Sequence, residues 1–126
     1  MQAPTSQPAP QFTCDVDRED GITIVTVQGE LDLASAPTLC GAVEATFRDA
    51  GARVLVDLTS LEFCDSTGLR ALVGVVHEAR VHRVALRIVE PTIAAAVRAF
   101  ELAGGGEFLP LVPDRGAGLA ALARKR

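Results

Sequence analysis

"ARVLVDLTSLEFCDSTGLRALVG", residues 52–74, decides the fold. It opens with Val54, Leu55 and Val56 in a row, the composition of a strand buried on both faces. It then passes through "SLEF" into "CDSTGL", an acid, two hydroxyls and a glycine. Leu69, Leu72, Val73, Val76 and Arg80 follow at helical spacing. A doubly buried strand that feeds a helix is half of a βαβ unit, and such units build parallel sheets with right-handed crossovers.

The chain around it repeats that alternation. Upstream, "FTCDV" (12–16) and "ITIVTV" (22–27) flank the polar "DREDG" (17–21), which predicts an antiparallel hairpin. "GELD" (29–32) then leads to Ser35, a candidate cap for a helix opening near Pro37. Leu39, Val43 and Phe47 carry the apolar face of that helix, with Ala42, Ala45 and Ala50 filling in. Downstream, "RVALRIVE" (83–90) alternates Val84, Leu86 and Ile88 as a strand. Pro91 opens a third helix with Ile93, Ala96, Val97 and Phe100 on one face, and the glycines at 104–106 stop it. "EFLPLV" (107–112) reads as a last strand at a sheet edge, because Pro110 cannot donate to a ladder. "GLAALARKR" (118–126) is a short helix with a basic last turn. The order is β-β-α-β-α-β-α-β-α, an α/β fold with a small mixed, mainly parallel sheet. An ordinary flavodoxin-like doubly wound fold is the alternative, and the opening hairpin and small size count against it.

Composition bounds the function. The chain has 126 residues, 48% of them hydrophobic, without Trp or Tyr, which suits one domain with an aliphatic core over residues 12–126. Residues 1–11, "MQAPTSQPAPQ", hold three prolines and no ionisable side chain, so a disordered tail is expected there. A net charge of −4 argues against nucleic acid or an anionic membrane as partner. No apolar run is long enough for a membrane span, and the N-terminal residues lack the order of a signal peptide. Cys14, Cys40 and Cys64 are odd in number and at no ligand spacing, so neither disulfides nor zinc are expected and a reducing cytoplasm fits. His77 and His82, five apart on a helix, read as surface residues.

In parallel α/β units the loops after the strand C-termini gather along one edge, where ligands bind. "GELD" and "FCDSTGL" both belong to that edge. If their strands are neighbours, Asp32 comes near Asp65, Ser66 and Thr67. The loop admits several readings. Asp65 or Ser66 can simply cap the next helix, and Asp32 can bond its own turn. Cys64 and Arg70 stand in C-x5-R spacing, which resembles cysteine-dependent phosphatases at those two positions only. No G-x4-G-K-[ST], G-x-G-x-x-G or G-x-S-x-G is present. Finally, Ser66 can be a substrate. A phosphate there adds charge that the helix N-terminus tolerates and that repels a partner docked on this edge.

Three stretches, "VQGELDLASAPTL" (27–39), "RVLVDLTSLEFCDSTGLRALVG" (53–74) and "LRIVEPTIAAAVRAFELAG" (86–104), together resemble a bacterial anti-sigma factor antagonist of the STAS domain family. The resemblance spans about residues 12–123. It implies a small mixed sheet with helices mostly on one face. It implies that Ser66 is the phosphorylated serine, that Thr67 is its neighbour and not the acceptor, and that Asp32 lies at the partner-binding surface. The helix from Gly68 to about His82, with Arg70 near its start, supplies much of the contact. The implied partners are an anti-sigma factor that is also a serine kinase, bringing its own ATP and magnesium, and a serine phosphatase. The unphosphorylated protein binds the anti-sigma factor, a sigma factor is freed, and the protein itself is neither an enzyme nor a cofactor carrier. The family also contains scaffolds of stress-sensing assemblies and cytoplasmic subunits of transport systems, the alternative reading.

Overall fold

Asp20 and Gly21 take φ of 53° and 81°, the left-handed pair that a two-residue hairpin turn requires. They join β1 (Thr13–Glu19) to β2 (Ile22–Leu31) in antiparallel register, Thr13 opposite Gln28 and Glu19 opposite Ile22. The hairpin is therefore longer, and its turn shorter, than the polar run 17–21 implies. The computed structural model describes residues 12–48 and 51–123. The expected tail 1–11, Ala50 and the basic last turn at 124–126 lie outside the described residues.

The remaining strands are parallel to β2. β3 (Arg53–Asp57) pairs with the first half of β2, β5 (Ala85–Val89) pairs with β3, and β6 (Leu111–Val112) pairs with β5. The order is β1-β2-β3-β5-β6, and Pro110 does precede an edge strand. Between β3 and the site lies β4 (Leu61–Cys64), which the sequence reading passes over as connecting loop. β4 pairs with the second half of β2, so β2 has one neighbour low down and another at its C-terminal end. The register jumps between Gly29 and Glu30, and Gly29 has φ 102°, a conformation L side chains resist.

One sheet face carries α1 (Ala36–Glu44), α2 (Ser66–Val81) and α3 (Ala94–Ala103). Val25, Val27, Val54, Val56 and Ile88 meet Leu39, Val43, Leu72, Val76 and Phe100 there. The opposite face is smaller. Ile22, Ile24, Leu55, Val89 and Val112 pack under α5 (Arg115–Leu122) through Leu122. Helices thus lie mostly on one face, and the three fully buried residues Val54, Leu55 and Val56 bear out the doubly covered strand.

Several local expectations change. α1 ends at Glu44, with Phe47 packed on the core from the turn beyond it. α2 buries Gly68, Leu69, Leu72, Val75, Val76 and Ala79, so Val73 and Arg80 lie off the stripe, on the exposed side. α3 begins at Ala94, three residues after Pro91, and Ile93 is exposed. Gly104 ends α3 with φ 75°, as a glycine past a helix end does. The next residues, however, form α4 (Gly105–Phe108) instead of starting the last strand.

Candidate functional site

The site is the place where β2 and β4 end side by side. Leu31 is paired with Cys64, so Asp32 and Asp65 are the next residues of two adjacent parallel strands. The backbone N–H of Asp65 continues the ladder by donating to the Leu31 carbonyl at 3.2 Å. The "GELD" and "FCDSTGL" loops are therefore brought together, with β4 rather than β3 as the link.

Asp65 caps α2. Its backbone is extended and its Oδ1 accepts from the Gly68 N–H at 2.8 Å, which satisfies a donor the helix cannot. Ser66 is the first helical residue, not the cap, and it is exposed. Of the two capping candidates the acid takes the role and leaves the hydroxyl outward. Thr67 and Asp65 are half-buried, Gly68 is buried and Arg70 is exposed. Asp65→Ala is expected to cost about 1 kcal/mol of stability by freeing the Gly68 N–H, read as a lowered midpoint in urea unfolding. Ser66→Ala should leave that midpoint within about 0.5 kcal/mol.

Gly68 is required by contact rather than by dihedral angle. A Cβ at this position would lie 2.5 Å from the Leu31 carbonyl oxygen and 2.8 Å from Leu31 Cγ. The first turn of α2 is thereby pressed onto the end of β2, directly beside Asp32.

Asp32 organises its own loop. Its Oδ1 accepts from the N–H groups of Ala34 and Ser35 at 3.0 and 3.1 Å, and its N–H donates to Ser35 Oγ at 2.9 Å. Ser35 is buried and its hydroxyl donates to the Glu30 carbonyl at 2.7 Å. Ser35 thus precedes α1 without capping it. It pins the loop to the strand instead, and the loop projects Leu33, which is 76% exposed.

Cys64 is 1% exposed, and burial, with the Asp65 charge next, pushes its thiol up to about 12. A phosphate-attacking cysteine needs the reverse, a thiolate near neutral pH. Cys64 packs in the core, and both its burial and its raised pKa count against the C-x5-R reading. Among the described residues no cluster of three or more His, Cys, Asp or Glu could hold a metal ion, and no helix is long and apolar enough to cross a membrane.

One feature of the edge escapes the sequence reading. An open, mostly apolar groove runs from Ser66 between β4 and α3, lined by Phe63, Asp65, Ala95, Arg98, Ala99 and Leu102. Leu102 is 83% exposed and Phe63 40%. The signal was present in the sequence: Ala95, Arg98, Ala99 and Leu102 form a second i, i+3, i+4, i+7 stripe on α3, beside the core stripe that Ala96 and Phe100 occupy.

Comparison with known proteins gives the family. The anti-sigma-F factor antagonist RsfB of Mycobacterium tuberculosis is 32% identical over 72 residues, 57% of this chain and 55% of that protein. The chain thus spans about half the length of the curated relatives it matches. The crystal structure of an anti-sigma factor antagonist from Mycobacterium paratuberculosis superposes with a TM-score of 0.75 at 29% identity, covering 89% of this chain and 94% of that one. The anti-sigma factor antagonist SpoIIAA in its unphosphorylated form shares the fold, with a TM-score of 0.66 at 16% identity over 90% of this chain and all of that one. The STAS domain model matches residues 13–117, and the chain belongs to the STAS domain family.

Proposed function

We propose that the chain is an anti-sigma factor antagonist switched by phosphorylation of Ser66. The observation that carries this reading is the position of Ser66. It is the exposed first residue of a 16-residue helix whose capping is already done by Asp65. Its hydroxyl can accept a phosphoryl group without breaking a bond that holds the fold. The naming of the mycobacterial relatives as anti-sigma factor antagonists supports the same reading.

In the unmodified state the partner is an anti-sigma factor with serine kinase activity. It docks on the edge formed by Asp32, Asp65, Ser66, Thr67, Gly68 and Arg70, and a sigma factor is released. The exposed Leu33 and Phe63 flank that edge and supply apolar contact. The kinase brings ATP and magnesium. The Ser66 oxygen attacks the γ-phosphorus, the bond to ADP breaks, and the hydroxyl proton leaves to a base on the kinase. Asp65 is held by the Gly68 N–H and orients the loop rather than serving as that base. The phosphate adds roughly −1.5 to −2 charges beside Asp65, and the edge loses its affinity for the partner. A serine phosphatase resets it. The chain itself catalyses nothing in this cycle, which runs in the cytoplasm.

The test is incubation with the cognate anti-sigma factor and ATP, followed by mass mapping of residues 54–83. One phosphate on Ser66 is expected, and none in Ser66→Ala. Ser66→Ala should bind the kinase like the wild type, while Ser66→Asp should bind at least about 10-fold more weakly, a loss near 1.4 kcal/mol. Equal binding by the two variants would sink the switch. Stable assembly that ignores ATP would favour a scaffold or transporter-associated role.

A further inference from the structure

We infer that Arg98 is the counter-charge that receives the phosphate on Ser66, and that by doing so it closes the apolar groove. The inference rests on Ser66 being the phosphate acceptor and concerns what the phosphate does next. Ser66 and Arg98 line the same groove, one at the start of α2 and the other on α3. Arg98 is exposed, and among the described residues its guanidinium makes no hydrogen bond and no ion pair. No bond to a described residue has to be broken for it to move.

The groove holds one other charged residue, Asp65, whose carboxylate stands next to the acceptor. A phosphate on Ser66 therefore concentrates negative charge at one end of the groove. The α2 N-terminus offsets part of it, and Arg98 is the only cation among the lining residues. A guanidinium binds phosphate oxygens in a planar fork, a stronger contact than a point charge gives.

Arg70 is the competing cation, four residues along α2 from Ser66 and also exposed. A bond from Arg70 runs along one helix and leaves the groove as it was. A bond from Arg98 joins α3 to the start of α2 through the groove that both residues line. Phosphorylation then covers the groove as well as adding negative charge, and the switch acts on apolar surface and charge at once.

The test uses the full chain with phosphoserine built in at position 66 during translation, so that no kinase is needed. Phosphorus NMR reads its second ionisation, whose ordinary value is about 6. In the wild-type background the midpoint is expected to fall below that by about half a pH unit or more. Arg98→Gln should return at least half of the shift, and Arg70→Gln less than Arg98→Gln. No change with Arg98→Gln, or a larger one with Arg70→Gln, overturns the inference. If the phosphoprotein does not fold, a thermal double-mutant cycle reads the same coupling. Arg98→Gln should lower Tm more in the Ser66→Asp background than in the wild type, and additive effects overturn it. A chain that no kinase labels would sink the proposed function with the titration intact, and a flat titration would sink Arg98 with the labelling intact.

Discussion

Gly68→Ala is expected to destabilise the protein by about 2 kcal/mol, within the usual cost of overpacking, and to lower Tm by roughly 6–10 °C. The sign is the opposite of what helix propensity gives. Alanine in place of a helical glycine ordinarily adds about 1 kcal/mol. At position 68 the new methyl would sit 2.5 Å from the Leu31 oxygen and 3.0 Å from its carbonyl carbon. That carbonyl cannot yield cheaply, since Leu31 is paired with Cys64 and its oxygen accepts from the Asp65 N–H. Relief has to come from α2 lifting off β2, which also loosens the Asp65 cap. Gly74 of the same helix is the control, because a methyl there meets nothing within 4 Å. Gly74→Ala should stabilise by up to about 1 kcal/mol. Urea unfolding of the two variants checks the pair, and equal stability would refute the close approach. The lifted helix also moves Ser66 away from Asp32, so Gly68→Ala should be phosphorylated poorly although its serine is untouched.

The contrast between those glycines shows what sequence pattern carries and what it does not. Both look alike in "STGLRALVG". Only a register, with Leu31 beside Cys64, makes one of them indispensable. The alternating elements, the antiparallel opening and the edge position after Pro110 were legible because each rests on local periodicity or a missing N–H. The pairing of the two site loops was legible as well, since strand ends in a parallel sheet must share an edge. β4 was not, because its four residues alternate too briefly to separate from loop, and its strand character comes from the unpaired upper half of β2. The α4 turn at 105–108 was missed because glycine reads as a stop whether or not a new turn begins after it. At the site, the sequence named Asp65 and Ser66 as equal candidates for the cap. The geometry separates them, giving the acid the structural task and the hydroxyl the outward position. The groove beside Ser66 is hard to read from sequence because Arg98 interrupts the second stripe of α3, and the core stripe with Ala96 and Phe100 accounts for the helix by itself.

Asp57→Asn is the second change with a large expected effect, on the opposite face from the site's helices. Asp57 ends β3 and is 3% exposed. Its Oδ1 accepts from the Thr59 N–H and hydroxyl at 2.9 and 2.7 Å. Its Oδ2 accepts from Arg115 Nε and Nη2 at 3.1 and 2.8 Å, and Nη2 also reaches Thr26 Oγ1 at 3.3 Å. Arg115 is the first residue of α5, so one carboxylate ties that helix to the sheet. An amide of the same shape presents N–H groups to at least one set of these donors. The expected loss is about 2–3 kcal/mol, short of the full figure for a buried pair because Arg115 is nearly half exposed. The pH dependence has a definite sign. Burial alone raises the Asp57 pKa, but the bonds from Thr59 and Arg115 outweigh it and the folded value lies below the ordinary 3.8. The stabilisation is therefore complete above the unfolded pKa of about 3.9 and is lost as pH falls through the folded value. The gap in stability between wild type and Asp57→Asn should be constant from about pH 5 to 8 and shrink below about pH 4. Urea midpoints taken across that range decide the matter. A gap that stays open in acid would mean that shape, not charge, holds α5 in place.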